Sequence, residues 1–393
     1  MTGITALGTT YNLPNYTGIL HMLTPADVPF FSAIGGLSGG GQTTATQFEW
    51  QTEDMRSAGQ NVALEGQDAP TAQNRVRASV NNVCQIHQET VGVSYTKLAA
   101  VGQHSGLNIE AKNPVTNELD HQVEIMLKQM VRDVNWSFIN GVYQLPTDNT
   151  TKRQTKGLLN AITSTVQNGG TALGNGALAG TGDTVTINAH GLVLNDQVIF
   201  DTIVTTTGIS PDTVYYVTAP TTNTFKVAAT KNGAAIDLVG DGTANVTKSV
   251  APTVDTLGSL MQSVFDNGGL TESPTGTIMV NSSQKRAITT AYGNAFGKYF
   301  ETNRNVGGVN METIETDFGR LNIMLDRAMP KHKIAVVSLE QCMPVYLEVP
   351  GRGHFFAEPL AKTGAEEKTQ LYGEVGLAFG NEKAHGYATG FLV

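Results

Sequence analysis

The chain has 393 residues, 40% of them hydrophobic and 15% charged, with 43 glycines and 49 threonines. That is apolar mass for two or three domains, in a composition that suits turns and strands better than an all-helical fold. A net charge of −9 argues against a phosphate-gripping surface, the absence of an 18-residue apolar run argues against a membrane helix, and two distant cysteines, Cys84 and Cys342, exclude a disulfide framework and point to a reducing compartment.

Residues 1–42 are polar, glycine-rich and lightly charged, and the first basic residue of the chain is Arg56. They carry short apolar islands, Ile19-Leu20, Met22-Leu23 and Val28-Pro29-Phe30-Phe31. The pattern predicts an extended arm that docks Ile19, Leu20, Phe30 and Phe31 on another surface. The glycine run from Gly35 to Gly41 lacks the Lys-Ser/Thr ending of a phosphate loop and reads as a hinge.

Residues 46–96 alternate with period two: Phe48 and Trp50 against Gln47, Glu49 and Gln51, then Val76, Ala78 and Val80, then Val91, Val93 and Tyr95. This predicts a long β-hairpin with a polar tip between Arg56 and Gln73. A two-stranded ribbon is marginal alone in water, so it implies a partner surface. Arg56, Arg75 and Arg77 are set among Glu49, Glu53, Glu65 and Asp68.

Residues 116–141 give the clearest helix. Leu119, Val123, Met126, Leu127, Met130 and Val134 fall on one face. Thr116 or Asn117 can cap its start, Glu118 and Asp120 suit its first turn, and Gly141 suits its end. Residues 165–252 differ sharply: arginine, glutamate and methionine vanish, and short strand patterns recur between turn signals such as Asn232-Gly233 and Asp241-Gly242. They predict a small all-β insertion whose entry linker is Asn168–Gly182. Strands are expected at Thr184–Ile187, Gln197–Phe200, Val214–Val217, Thr224–Ala228 and Ala235–Val239. From residue 253 the first composition returns. Leu257, Leu260, Met261, Val264 and Phe265 form a helix face. Thr277–Val280 and Ile334–Val337 read as buried strands. Leu321, Ile323 and Leu325 alternate, as do Leu371, Val375, Leu377 and Phe379.

No catalytic constellation emerges. None of the eight histidines has a partner at i+4, no Gly-x-Ser-x-Gly elbow exists, and Cys84 sits in a strand pattern as a small apolar side chain. His332 and His354 read as loop residues. The insertion's Asp183, Asp196, Asp201, Asp237 and Asp241 lack calcium-loop spacing and read as turn residues. No cofactor and no metal are expected. An arm, a long ribbon, a spine helix and a compact core describe a protein that assembles.

That order of parts resembles the major capsid proteins of tailed phages. So do several phrases: Thr17-Gly18-Ile19-Leu20 with Pro25-Ala26-Asp27-Val28-Pro29-Phe30, Phe48-Glu49-Trp50-Gln51-Thr52-Glu53, Thr316-Asp317-Phe318-Gly319, and Glu358-Pro359-Leu360-Ala361-Lys362-Thr363-Gly364. The resemblance covers about three quarters of the chain. It implies an α+β, Hong Kong 97-type capsid fold with a small all-β insertion domain. The implied division is an N-terminal arm (1–42), an extended loop (43–90), a peripheral domain (91–164), the inserted β-domain (165–252), an axial domain (253–310), and its remainder with the return to the peripheral domain (311–393). It implies inter-subunit contacts through Phe48, Trp50, Glu49, Glu53, Arg56, Arg75 and Arg77 of the loop and Ile19, Leu20, Phe30 and Phe31 of the arm. Leu119, Val123, Met126, Met130 and Val134 would form the spine-helix core.

The implied function is a self-assembling icosahedral shell of pentamers and hexamers in the virion, built in the host cytoplasm around double-stranded DNA without sequence-specific binding. A portal protein and separate scaffold and decoration proteins are the implied partners, and no membrane is involved. No basic coiled segment precedes the arm, so no fused scaffold or removable pro-domain is expected. An encapsulin-like nanocompartment shares the fold, and a phage tail or fibre adhesin with a sugar-binding β-module is a third reading. The Gly/Thr-rich arm and the insertion favour the phage shell over the first. The single long helix and absence of tandem repeats count against the second.

Some relatives cross-link a loop lysine to a neighbour's asparagine, but the first lysine of this chain is Lys97. Denaturing gels of assembled shells are expected to show single chains; a ladder of multimers would contradict this.

Overall fold

The computed structural model describes residues 27–99, 117–148, 150–270, 276–295, 313–362 and 364–393. Its centre is a 13-residue strand, Glu366–Ala378. It pairs antiparallel with Gln85–Ser94, with Phe355–Pro359 and, at its far end, with Met343–Leu347, to which Gly41–Thr43 adds in parallel. The long helix Glu118–Asn140 lies against this sheet. At about 1.5 Å per residue it is roughly 35 Å long. The Asn117 side chain caps it, accepting from Leu119 N at 3.1 Å and Asp120 N at 3.4 Å. Gly141 ends it for steric reasons: a Cβ there would stand 2.4 Å from Ser137 O and 2.5 Å from Thr155 O.

Val134, Phe138 and Ile139 of this helix share a core with Val375, Leu377, Phe379 and Tyr346 of the sheet. Met130 is also buried. Leu119, Val123 and Met126 are only half-buried, because the N-terminal half of the helix runs beyond that core cluster. The expected core residues therefore divide: Met130 and Val134 are fully enclosed, and the other three are partly open.

A second sheet has six strands in the order Thr313–Thr316, Gly319–Leu325, Gly276–Val280, Ile334–Ser338, Gly386–Thr389 and Val166–Asn168. Its two central strands, Gly276–Val280 and Ile334–Ser338, are buried at every residue, as their unbroken apolar runs require. The helix Val254–Asp266 covers it with Leu257, Leu260, Met261 and Val264, and starts in a Thr253/Thr256 capping box. Phe265, expected on that face, is instead 51% exposed.

Residues 171–248 form a closed six-stranded barrel with its own core, including Val198, Phe200, Val217, Phe225 and Val246. Two sequence expectations are corrected here. The stretch expected as an entry linker contains the barrel strand Thr171–Ala179, paired with Gly242–Lys248. Its glycines have local work: Gly174 takes φ +90° close to the register shift, and Gly176 lies against Val185 and Ile187. Ala235–Val239 is not a strand. Only Val239 makes an isolated bridge, to Thr207, while Leu238 turns into the core.

The barrel is fastened to the body by polar contacts. Asp212 meets His332 Nε2 at 3.0 Å and Lys333 Nζ at 2.5 Å, and the Lys333 ammonium lies 4.7 Å from the Tyr387 ring centre. Gln197 exchanges two hydrogen bonds with the Val393 backbone. His332 lies in a turn, as expected of a loop residue, and its side chain is buried in this latch. Burial pushes the Asp212 carboxyl up, but the His332 hydrogen bond and the Lys333 charge outweigh it and hold the group below its ordinary value of 3.8.

A carboxyl lowered on folding stabilises fully above its unfolded value, and that contribution fades as pH falls through the folded one. Asp212→Asn is expected to cost about 1–3 kcal/mol at neutral pH, because Lys333 is left buried without its carboxylate. It is also expected to flatten the fall in thermal stability below pH 3.8. Melting curves across that range check both; a variant melting like the wild type at neutral pH would contradict the latch.

Candidate assembly surface

The hairpin pairs Gln47–Glu53 with Arg77–Val83 over seven residues, from Gln47 opposite Val83 to Glu53 opposite Arg77. Alternation turns Phe48 and Trp50 to one face, and that face lies on the body of the same chain. Trp50 Nε1 donates to Gly380 O at 2.7 Å, and its ring meets Phe379 edge-on at 4.9 Å. Phe48 sits 6.0 Å from Trp50 and against Gly376, where a Cβ would come 2.6 Å from its ring. These aromatics were expected to contact a neighbouring subunit. Within the chain they anchor the ribbon's base and stay half-buried, since such a ribbon face first covers the apolar surface next to it.

The arm residues follow the same rule. Phe30 and Phe31 are 0% and 1% exposed, and Phe31 packs edge-on against Phe138 at 5.7 Å. They belong to the short helix Pro29–Ala33. Buried polar groups receive its first amides: Phe31 N donates to Asn135 Oδ1 at 3.0 Å and Phe30 N to Asp326 Oδ2 at 3.3 Å. Asn135 Nδ2 in turn donates to the Asp326 carboxylate at 3.1 Å. Both rings are enclosed by their own chain. Ile19 and Leu20 lie outside the described residues.

The expected inter-subunit ion pairs are partly used within the ribbon. Arg77 Nε stands 3.6 Å from Glu53 Oε2, with both side chains more than half exposed; such pairs contribute about 0–1 kcal/mol. Glu49 accepts from Ser79 Oγ at 2.9 Å. Arg56 donates only to the neighbouring Ser57 O, and Arg75 has no ion-pair partner among the described residues.

Between the two strands, residues 54–76 contain no helix or strand, and every one is exposed. Four apolar side chains stand almost wholly in water: Met55 at 90%, Val62 at 81%, Leu64 at 80% and Val76 at 85%. The sequence reading treated this tip as polar and missed them; the signal was present as isolated aliphatics spaced through a polar loop. Beneath the ribbon's base, a groove of about 900 Å³ runs between Trp50, Thr52, Val80 and the turns Asp266–Gly268 and Gly380–Lys383.

Nothing in this arrangement performs bond chemistry. Burial pushes the Cys84 thiol up to about 12 and raises that of Cys342 as well, so both remain protonated. No three His, Cys, Asp or Glu side chains among the described residues converge as metal ligands. Asp183 and Asp241 accept backbone amides at Leu238 and Gly180, and Asp196 pairs with Lys248 at 2.6 Å.

A chain with an enclosed core, an arm root fastened inside it and a long loop of exposed aliphatics has the form of a shell subunit. The family model of the SU10 major capsid protein matches residues 3–391, and the chain belongs to that family. It is a structural protein of the virion shell and not an enzyme. No curated protein matches the chain. Among solved structures, the cyanophage A-1(L) capsid is similar at a TM-score of 0.55, with 9% identity over 99% of both chains. The capsid of the Myoviridae phage XM1 gives 0.51, with 12% identity over 100% of both. The capsid of a native GTA particle gives 0.51, with 11% identity over 99% of this chain and 98% of that one. The α+β fold is the Hong Kong 97 type that the resemblance implied.

Proposed function

We propose that the chain assembles into the pentamers and hexamers of an icosahedral shell around the double-stranded DNA of a tailed bacteriophage. The observation that carries this reading is the loop 54–76, whose Met55, Val62, Leu64 and Val76 side chains stand exposed among the described residues. Each aliphatic gains about 25 cal/mol per Å² when a neighbour covers it. One such contact is weak, but many repeated around a closed shell act together. In this reading residues 1–42 are the arm, 43–90 the extended loop, and 91–164 the peripheral domain. Residues 253–310 form the axial domain, and 311–393 complete it and return to the peripheral domain. The β-module within 165–252 stands on the shell exterior, clear of the packed contacts.

The net charge of −9 suits a wall that holds DNA without gripping its phosphates. A portal protein is the expected partner at assembly, with separate scaffold and decoration proteins as further ones. Arg56 and Arg75 of the loop, together with Glu65 and Asp68, are the charges available to neighbouring subunits.

Two classes of variant separate the roles. Trp50→Ala is expected to lower the stability of the single chain by about 2–4 kcal/mol, through lost ring packing and an orphaned Gly380 carbonyl. The double variant Met55→Ser with Leu64→Ser is expected to leave the denaturation midpoint of the single chain unchanged and to abolish shells under electron microscopy. Normal shells from that double variant would contradict the proposal.

A further inference from the structure

The sulfur atoms of the chain divide sharply by exposure. Cys84 and Cys342 are buried, and burial raises both thiols, that of Cys84 to about 12, so neither offers a thiolate to an oxidant. Met130, Met261, Met279 and Met329 are buried, and Met126 and Met324 are half-buried. Met343, paired with Ala378 at the end of its strand, is 48% exposed. Met55 is 90% exposed and is the most open sulfur among the described residues.

A thioether has no proton to lose before it reacts, so access decides which methionine an oxidant meets first. With hydrogen peroxide the sulfur lone pair takes the near oxygen and the O–O bond breaks. The proton on that oxygen passes to the departing hydroxide, which leaves as water. Sulfur is oxidised by two electrons and the peroxide is reduced by two, giving one sulfoxide and one water. A flexible apolar side chain thereby becomes polar and chiral, with a strong acceptor oxygen. Covering that oxygen without a donor is costly.

Met55 lies two residues beyond the strand Gln47–Glu53, where the Glu53–Arg77 pair closes the ladder of the ribbon. It stands with Val62, Leu64 and Val76 on the exposed loop 54–76. At 90% exposure its side chain packs on almost nothing in its own chain, so an added oxygen leaves the fold of the single chain as it is. The same oxygen alters the loop's apolar set. Methionine suits such a surface because its unbranched chain fills irregular gaps, and the sulfoxide forfeits that property.

We infer that Met55 is a peroxide-responsive modification site: oxidation of its thioether to the sulfoxide stops loop 54–76 from seating on a neighbouring subunit and leaves the single chain folded. This rests on the shell reading, in which that seat exists. Methionine sulfoxide reductases reverse the change while the loop is free. In a finished shell the contact that holds the loop also shields the sulfur.

The test treats the purified full chain with hydrogen peroxide and locates the added oxygen by peptide mass spectrometry. Met55 is expected to react before Met343, and about tenfold faster than the buried Met279. Treated chains are expected to keep their melting curve but to form shells, counted by electron microscopy, at about a tenth of the untreated yield or less, because a closed shell repeats the lost contact many times. Met55→Leu keeps the apolar volume without the oxidisable sulfur, and after the same treatment it is expected to assemble at its untreated yield. Met55→Gln, a polar stand-in for the sulfoxide, is expected to form few shells without any peroxide. Reductase treatment of the oxidised wild type is expected to restore assembly, which decides the matter if Met55→Leu itself assembles poorly. Full assembly of chains carrying the Met55 sulfoxide overturns the inference. So does loss of assembly in treated Met55→Leu, which assigns the effect to another residue. A chain that forms no shells before any oxidant is added overturns the shell reading instead.

Discussion

The subunit depends on one strand. Glu366–Ala378 pairs with three other strands along its length, and its Val375 and Leu377 lie in the same core as Val134 and Phe138 of the long helix. The Asn82 side chain donates to Leu377 O at 2.7 Å, holding the base of the hairpin to it. Glu374 meets Arg153 at 2.9 Å with both side chains largely buried; removing one member of such a pair leaves an uncompensated charge and is strongly destabilising. Where this strand ends, Phe379 and Gly380 receive Trp50. The direction in which the extended loop leaves the body is therefore set by contacts within the chain.

That arrangement divides the apolar residues by type. The large aromatics Phe30, Phe31, Phe48 and Trp50 turn toward the subunit, where close packing rewards their area. The aliphatics Met55, Val62, Leu64 and Val76 stay outside on a loop with no structure of its own. The barrel is handled differently: Asp212, His332, Lys333 and the Gln197–Val393 bonds clamp it to the body, so it moves with the subunit.

Much of this was legible in the sequence because burial leaves a periodic trace. The long helix showed its face at i, i+4 and i+7 and offered Thr116 or Asn117 as its cap, and the apolar runs Thr277–Val280 and Ile334–Val337 marked the buried strands Gly276–Val280 and Ile334–Ser338. The failures have common physical causes. Apolar residues in an arm or ribbon look alike whether they pack on their own chain or on another, so the intrachain seats of Phe30, Phe31, Phe48 and Trp50 left no trace of their own in the sequence. Glycine in Thr171–Ala179 hid a strand, because pairing with Gly242–Lys248 overrides the local preference for a loop. The Asp212 latch joins residues 120 positions apart, a separation at which no local pattern survives.

In the proposed shell, loop 54–76 finds its cover on another subunit. The most direct measurement is a cryo-electron microscopy reconstruction of the assembled particle at side-chain resolution. The account predicts Met55, Val62 and Leu64 buried against an adjacent copy, with Phe48 and Trp50 still seated on Gly376 and Gly380 of their own chain. A shell in which those aliphatics remain in solvent, while the aromatics leave their own chain to form the contacts, would contradict it.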